Sequence, residues 1–408
     1  MKFSLNRRVI VLLETSLVVS RDLLEGIVRY TREHDPWILE LTSGGVGDLR
    51  MPQGWTGDGI ISRALVPQQM RNLLANPAPK VLMDTPAVSQ DVCVENLNTV
   101  RFESDYYQTG CDAADYFLAR GFRHFAFVEE ARSSLGTTVW QTDACRASDW
   151  SIQRGRGFCE RLAACGHQAA WINSPHTRRV AENWHLELPH IVKRLQNLPK
   201  PLAIFAPNDS RGRQILDACQ VAGIPVPYSV AVLGVNDDRV LCETSHPPLS
   251  SIPLCAEEAG YAAAAALDGL MRGERSVDKT VVYGHRPVVT RDSTLSLQTD
   301  DPLVIAALRR IRETNGFCLR VTDLALGLET TVRNLENHFT RALGQSVGSV
   351  LRETCFSNIR RLVVSTDLPF KDIAVRSGQL SVAHLADAYR RRFGCTMGED
   401  RKGVSQKR

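Results

Sequence analysis

The sequence predicts an α/β body built on parallel sheets, followed by an all-helical C-terminal region. Three observations predict it. Between residues 8 and 285, short apolar runs alternate with amphipathic helical patterns. From about Arg286 to Asp300, in "RPVVTRDSTLSLQTD", that alternation stops. Beyond it the apolar spacing is helical throughout, and the charge changes sign. Residues 301–408 hold 18 Lys+Arg against 11 Asp+Glu, a net of +7, whereas residues 1–300 hold a net of −3. A basic tail on a near-neutral body points to nucleic acid at the C-terminal end. The total of 408 residues, 43% hydrophobic and 23% charged, suits two or three ordinary globular domains.

The first strand is "RVIVLLE", from Arg8. Lys2, Arg7 and Arg8 ahead of an apolar run have the look of a secretion signal, but Glu14 interrupts the run and no small-residue cleavage site follows. No stretch approaches 18 consecutive apolar residues, so neither a membrane span nor a membrane partner is expected, and a cytoplasmic protein is. The 11 cysteines are an odd number and scattered, without C-x-x-C or zinc spacing. They read as free thiols in a reducing compartment, with no metal site and no cofactor.

Further strands are "DGIIS", "KVLMD", "HFAFVE", "LAIFA" and "SVAVLGV". Helices are expected at Arg21–Glu33, Ser104–Arg120, Gln153–Cys165, Arg211–Ala222 and Ala256–Met271. In the first of these Leu23, Leu24, Ile27 and Val28 mark the buried face, Ser20 is placed as the N-cap and Asp22 lies in the first turn. Ligands of parallel sheets bind beyond the C-terminal ends of the strands. The stretch "APNDSRGRQIL", residues 206–216, is such an end: the apolar run Leu202–Ala206 meets Pro207, Asn208 and Asp209. Those two side chains either cap the next helix or face a ligand. There is no G-x-G-x-x-G, no P-loop, no G-x-S-x-G and no H-E-x-x-H, which leaves an enzyme without a motif.

In the tail, Asp301-Pro302 is a helix start, and Val304, Ala307, Leu308 and Ile311 form one face. A short helix follows, with Val321, Leu324, Ala325 and Leu328 inward. "ETT" breaks it and Thr331 can cap the next helix, which buries Val332, Leu335, Phe339 and Leu343. Arg333, Asn337 and Arg341, four residues apart, share the opposite face. The pattern recurs about 50 residues on: "DLPFKDIAVRSG" ends at Gly378, and "SVAHLADAYRRRFG" buries Leu385, Tyr389 and Phe393. Between the two lies a long helix with Val350, Leu351, Ile359, Leu362 and Val363 inward. Two helix-turn-helix modules, each with a polar outer face on its second helix, suit two major-groove contacts.

This tail resembles the AraC/XylS family of transcription regulators over about 100 residues. The shared features are "DLA" at 323–325, "NLENHF" at 334–339, "LGQS" at 343–346, "IA" at 373–374, Gly378, "RRFG" at 391–394, Thr396 and Arg401. The resemblance implies that Arg333, Glu336 and Asn337 face one major groove of double-stranded promoter DNA, and Val382, Ala383 and Asp387 the next. Departures from the family pattern include Glu329 for the turn Gly, Val347 and Met397 for Pro, Cys355 for Arg, Gln379 for an aromatic, Leu385 for Phe and the acidic Asp387.

The body resembles the effector domain of LacI-type repressors and their periplasmic sugar-binding relatives. "LAIFAPNDSRGRQILDACQVAGIPVPYSVAVLGVNDD…HPPLSSI" follows that family's order, as do "ADYFLARGFRHFAFVE" and "VVTRDST". The resemblance implies an effector-binding domain over residues 1–290, a linker over 291–300 and a DNA-binding domain over 301–408. It implies two lobes closing on a small sugar held by Arg154, Asn208, Asp209, Asn236 and Asp237, with Arg21 at the first cleft-facing helix. Asn236 stands where the family has Asp. Trp37, Trp140 and Trp150 are candidates to stack on a sugar ring. The two resemblances in this order resemble the XylR-like regulators. They imply a homodimeric activator, working with RNA polymerase on carbohydrate-utilisation genes and controlled by a pentose such as xylose. The alternative is a regulator whose sensor has lost sugar binding and serves for dimerisation or takes another ligand.

Overall fold

The computed structural model describes residues 7–42, 49–63, 72–84, 98–130, 150–173, 184–274, 279–295, 299, 301–379 and 381–405. The chain divides into two compact units, Met1–Ser296 and Leu297–Arg408.

The first unit contains two parallel sheets. One is built from β1 (Arg8–Leu12), β2 (Ile38–Leu41), β3 (Gly59–Ser62), β4 (Lys80–Met83), β5 (Thr99–Ser104) and, late in the chain, β11 (Thr280–Tyr283), in the order β2-β1-β3-β4-β5-β11. The other is β6 (His124–Val128), β7 (Ala169–Ile172), β8 (Leu202–Phe205), β9 (Val230–Val235) and β10 (Ser250–Ile252), in the order β7-β6-β8-β9-β10. The central strands β1, β3, β4, β8 and β9 are continuous apolar runs because helices cover both faces. Each sheet reverses its strand order once, between β1 and β3 and between β6 and β8. That reversal opens a crevice at the carboxyl ends of those strands.

The helices of this unit are α1 (Val18–Glu33), α2 (Tyr106–Leu118), α3 (Trp150–Ala164), α4 (Leu188–Asn197), α5 (Asp209–Val221), α6 (Arg239–Thr244) and α7 (Ala256–Met271). In each lobe one helix pair packs backbone to backbone through reciprocal glycines. A Cβ on Gly26 of α1 would lie 1.9 Å from the Glu257 carbonyl oxygen, and one on Gly260 of α7 would lie 2.0 Å from that of Leu23. In the second lobe, a Cβ on Gly110 of α2 would lie 2.0 Å from the Arg154 oxygen, and one on Gly157 of α3 would lie 2.0 Å from that of Tyr107. The chain passes from the first sheet to the second between β5 and α2, and returns between β10 and α7.

Two expectations are corrected in this unit. α1 begins at Val18 with Leu17 as N-cap, and Ser20 is buried inside the first turn with its hydroxyl unpartnered, so it is not the cap. Val19 faces the core and draws the helix start forward. Residues 291–294 are not linker. Arg291 pairs with Asp237, the Ser293 hydroxyl donates to the Val232 carbonyl at 2.6 Å, and Thr294 meets Ser250 at 2.7 Å.

The second unit is helical: α8 (Pro302–Glu313), α9 (Val321–Gly327), α10 (Val332–Leu343), α11 (Val347–Ser365), α12 (Phe370–Arg376), α13 (Val382–Phe393) and α14 (Met397–Ser405). Asp301 caps α8, accepting from the Leu303 and Val304 N–H groups at 3.0 and 3.2 Å, and Val304, Ala307, Leu308 and Ile311 are its buried face. The pairs α9/α10 and α12/α13 repeat one plan. Thr331 caps α10 and Ser381 caps α13, and Leu335 with Phe339 matches Leu385 with Tyr389 in the core. The turn between the first pair places Glu329 at φ +52°, in the left-handed region where Gly378 of the second pair sits at +71°. Val332, expected inward, is exposed at the first position of α10, as Val382 is on α13. Val321 and Leu328 are half-buried rather than core. Among the described residues no helix is long and apolar enough to cross a membrane, no group of residues could hold a metal ion, and nine cysteines are free thiols.

The glycine contacts carry a prediction. Gly110→Ala forces α2 away from α3 and should destabilise the first unit by about 1–3 kcal/mol in urea unfolding. Gly284→Ala, with open space around its Cβ position, should be neutral within about 0.5 kcal/mol.

Candidate functional sites: a sensor cleft and a DNA-facing helix pair

Several buried polar groups of the first unit stand where strands end, among them Glu14, Asp84, Glu129 and Asp209. After β8, the Asn208 side chain accepts from the Arg211 N–H at 2.7 Å and caps α5, while its amide donates to Glu130 at 2.9 Å. Asn208 is therefore a cap, and its amide reaches the end of β6. Arg211, one turn on, is fully buried. Its guanidinium meets both Glu187 oxygens at 2.8 and 2.6 Å and donates to the Glu129 carbonyl at 2.9 Å. It fixes where β6 ends.

Asp209 is turned inward. One oxygen accepts from the Ser251 hydroxyl at 2.5 Å and the other from the Asp238 N–H at 2.7 Å. Gly234 makes room for it, since a Cβ there would lie 2.4 Å from the Asp209 oxygen. Asp209 thus pins the loop after β9 and is 1% exposed. In that loop Asn236 (φ +103°) and Asp237 (φ +53°) both adopt positive φ. Asn236 is half-buried, and no hydrogen bond of its side-chain amide is found among the described residues. Asp237 pairs with Arg291 at 2.7 Å. Arg21 is exposed, donates to the Thr15 and Ser16 carbonyls at 2.9 and 3.0 Å, and lies 3.9 Å from Asp238.

Arg154, on α3, is 2% exposed. It donates to the Pro207 carbonyl at 2.5 Å, and its guanidinium lies 5.3 Å from the Tyr106 ring centre and 5.2 Å from that of Trp150. Its Nε has no hydrogen-bond partner. Burial pulls its pKa down from the ordinary value. Trp150 thus stands beside Arg154, Trp37 belongs to the first lobe's core, and Trp140 lies outside the described residues.

The structure adds a first-lobe cluster that sequence reasoning missed. Glu14 follows β1, Arg63 follows β3, and Asp84 follows β4 at φ +48°. Asp84 accepts from the Tyr106 and Tyr283 hydroxyls, each at 2.7 Å, and from the Ser104 N–H at 3.0 Å. Arg63 lies 3.8 Å from Asp84 and 3.9 Å from Glu14. The signal was present in the runs "VLLE", "IISR", "VLMD" and "AFVE": like "LAIFAPND", each apolar strand ends on a charged residue.

In the second unit Arg333 and Asn337 are exposed on the outer face of α10. Two other expected DNA contacts have inward partners. Glu336 accepts from the Val347 N–H at 3.1 Å, taking up a donor that the family's Pro would lack, and Arg341 reaches Asp301 at 3.4 Å. His338 also meets Asp301, at 2.6 Å. On α13, Val382, Ala383 and Asp387 are all exposed. That face offers two apolar side chains and one carboxylate where α10 offers Arg and Asn. Arg390, Arg391 and Arg392 close the helix.

Asp209 generates a pH prediction. Burial pushes its pKa up to about 7 from 3.8, against the pull of its two donors. A raised carboxyl contributes its full stability below the unfolded value and loses it as pH rises through the folded one. Between pH 5 and pH 8 the wild type should therefore lose about 3 kcal/mol relative to Asp209→Asn, at about 1.4 kcal/mol for each pH unit up to 7. Urea unfolding of both proteins across that range checks this, and a pH-independent difference contradicts it.

Comparison with known proteins covers both units. A family described as periplasmic binding protein-like domain matches residues 114–294, and one described as helix-turn-helix domain matches residues 324–403. The chain is 29% identical to the xylose operon regulatory protein of Haemophilus influenzae over 252 residues, 62% of this chain and 65% of that one. It is 24% identical to the protein of the same name from Escherichia coli K12 over 404 residues, 98% of each chain. A solved structure of a xylose-binding transcription activator, xylR, matches with a TM-score of 0.77 at 22% identity, covering 98% of this chain and 99% of that one. Strand order, paired helix-turn-helix modules and end-to-end likeness agree: the chain is similar over its full length to the XylR-like transcription regulators, with a periplasmic binding protein-like domain in its first unit and a helix-turn-helix domain in its second.

Proposed function

We propose that the chain regulates carbohydrate-utilisation genes by binding promoter DNA through its second unit under the control of a small sugar bound between the two lobes of its first. The observation that supports this reading is that Tyr106 joins Asp84 at a first-lobe strand end to Arg154 of the second lobe, in a chain similar over its full length to xylose operon regulators. D-xylose is the first candidate effector, since the relatives are named for that operon. Arg154, Asn208 and Asn236 would face it from the second lobe. Asp209 and Asp237 would act behind them, by holding the loops.

Sugar hydroxyls donate and accept at once, so amides, carboxylates and guanidinium groups orient them in pairs. A sugar bound more tightly by one lobe arrangement shifts the population toward it, and only that difference in affinity can act on DNA binding. On DNA, Arg333 and Asn337 would read bases of one major groove, Arg with guanine and Asn with adenine. The α13 arginines would hold phosphate in the next. A homodimer in the cytoplasm, activating with RNA polymerase and catalysing no reaction, completes the reading.

Thermal unfolding of the full chain against a panel of pentoses and hexoses tests it. A sugar that binds only the folded state must raise the midpoint with concentration, by about 2.7 kcal/mol of stability at one hundred times its dissociation constant. Such a rise is expected with D-xylose. An unmoved midpoint with every sugar overturns sugar control.

A further inference from the structure

The two helix-turn-helix modules share one plan down to single residues. Over ten positions from the cap, residues 331–340 and 381–390, the order of exposed, half-buried and buried side chains is the same. Thr331 and Ser381 each accept from the N–H three residues on, at 3.2 Å. Leu335 and Phe339 of α10 match Leu385 and Tyr389 of α13 in the core. The outward positions therefore correspond too: Val332 to Val382, Arg333 to Ala383, Asn334 to His384 and Asn337 to Asp387. In a helix-turn-helix the first turns of the second helix meet base edges in the major groove. There α10 presents a guanidinium and amides, whereas α13 presents two aliphatic side chains, an imidazole and a carboxylate. The Asp387 carboxylate is exposed, and no hydrogen bond or ion pair of it is found among the described residues. Arg391, one turn on, donates to the Asp387 backbone carbonyl at 3.3 Å, and Arg392 turns to Glu353 at 3.6 Å.

We propose that α13 selects pyrimidines: Val382 and Ala383 pack against the C5-methyl groups of thymines, and Asp387 accepts from the N4 amino group of a cytosine. The two modules of one chain then read different chemistry, purine edges under α10 and pyrimidine edges under α13. The proposal rests on the DNA-binding reading above. An aliphatic side chain offers nothing to the N7 or O6 acceptors of a purine but packs well on a methyl group. A carboxylate only accepts, so guanine N7 and O6 and thymine O4 repel it and an amino group satisfies it. Adenine also has an amino group, but its N7 acceptor stands beside it. Asp387 is repelled by phosphate as well, and Arg390, Arg391 and Arg392 in the last turn of α13 offset that charge. The arginines thus hold the module on DNA, and Asp387 chooses the base.

Selection from a randomised duplex library by the full-length protein, with and without D-xylose, tests this in the wild type, Arg333→Ala, Ala383→Arg and Asp387→Asn. Positions that lose their base preference in Arg333→Ala mark the first half-site. The second half-site should show thymines beside a cytosine. Asp387→Asn should move that cytosine to adenine, and Ala383→Arg should move a thymine to guanine. On the selected duplex, deoxyuridine in place of each second-half-site thymine removes only the methyl group. It should weaken wild-type binding roughly fourfold for each methyl contacted. Replacing the cytosine pair should cost the wild type roughly 5- to 150-fold, and Asp387→Asn much less. All three substituted side chains are exposed, and unchanged thermal midpoints show that each variant is folded. A second half-site indifferent to Asp387→Asn and to deoxyuridine overturns this proposal alone. A wild type that enriches no sequence overturns it together with the reading it rests on.

Discussion

The Asp84 carboxylate takes hydrogen bonds from the end of β5 (Ser104 N–H), the start of α2 (Tyr106) and the end of β11 (Tyr283), and lies against Arg63. Burying a carboxylate costs several kcal/mol unless donors replace its water, and three donors do so here. Two of those partners, Ser104 and Tyr106, flank the crossing from the first sheet to the second, and Tyr283 closes the strand after which the chain crosses again. Asp84 therefore fixes the first lobe to two of its three crossings, and it places Tyr106 beside Arg154 of the other lobe. Asp84, joined with Asp209's hold on the β9 loop, sets the shape of the cleft from both sides.

Each lobe is stiffened by one glycine-lined helix pair. Because Gly26 with Gly260, and Gly110 with Gly157, bring backbones into contact, neither pair can slide without a clash or a void. Rigid lobes joined by crossings suit a sensor, since a ligand that touches both lobes then biases one arrangement of whole lobes rather than deforming either. The candidate effector residues lie on strand ends and helix starts, elements whose own positions are fixed by these contacts.

Much of this was legible in the sequence. The strands β1, β3, β4, β6, β8 and β9 appear as apolar runs, whereas β5, with Arg101 and Glu103 in it, does not, and Asp301, Thr331 and Gly378 announce a helix start, a cap and a turn through side-chain chemistry that acts locally. What escaped was non-local. β2, β7 and β11 are edge strands with mixed burial, so they lack the apolar signature. β10 has only three residues. Glu14, Arg63 and Asp84 are separated by dozens of residues, and strand order alone brings them together. Arg211 looks like a surface charge beside a helix start and Asp209 like a cap or a ligand contact, but each is buried because Glu187 and Ser251, distant in sequence, complete it. Glu336 turns inward because the Val347 N–H, eleven residues on, offers it a donor. Arg154 and Asn208 were singled out in the sequence, and the structure gives them named neighbours, Pro207 and Glu130.

In the second unit, the carboxylate that starts α8 also holds His338 and Arg341 of α10, so the helix next to the chain's entry point is tied to the helix that presents Arg333 and Asn337. Sugar control of DNA binding is the central claim, and one measurement addresses it directly. Fluorescence anisotropy of the full chain on the promoter region adjoining its own gene, and on random DNA of the same length, should be run with and without D-xylose at two salt concentrations. The account predicts promoter binding at least roughly a thousandfold tighter than random DNA, weakening with salt, and a xylose effect on that affinity of roughly 5- to 150-fold. Equal affinity for promoter and random DNA, or a promoter affinity that xylose leaves unmoved, would contradict it.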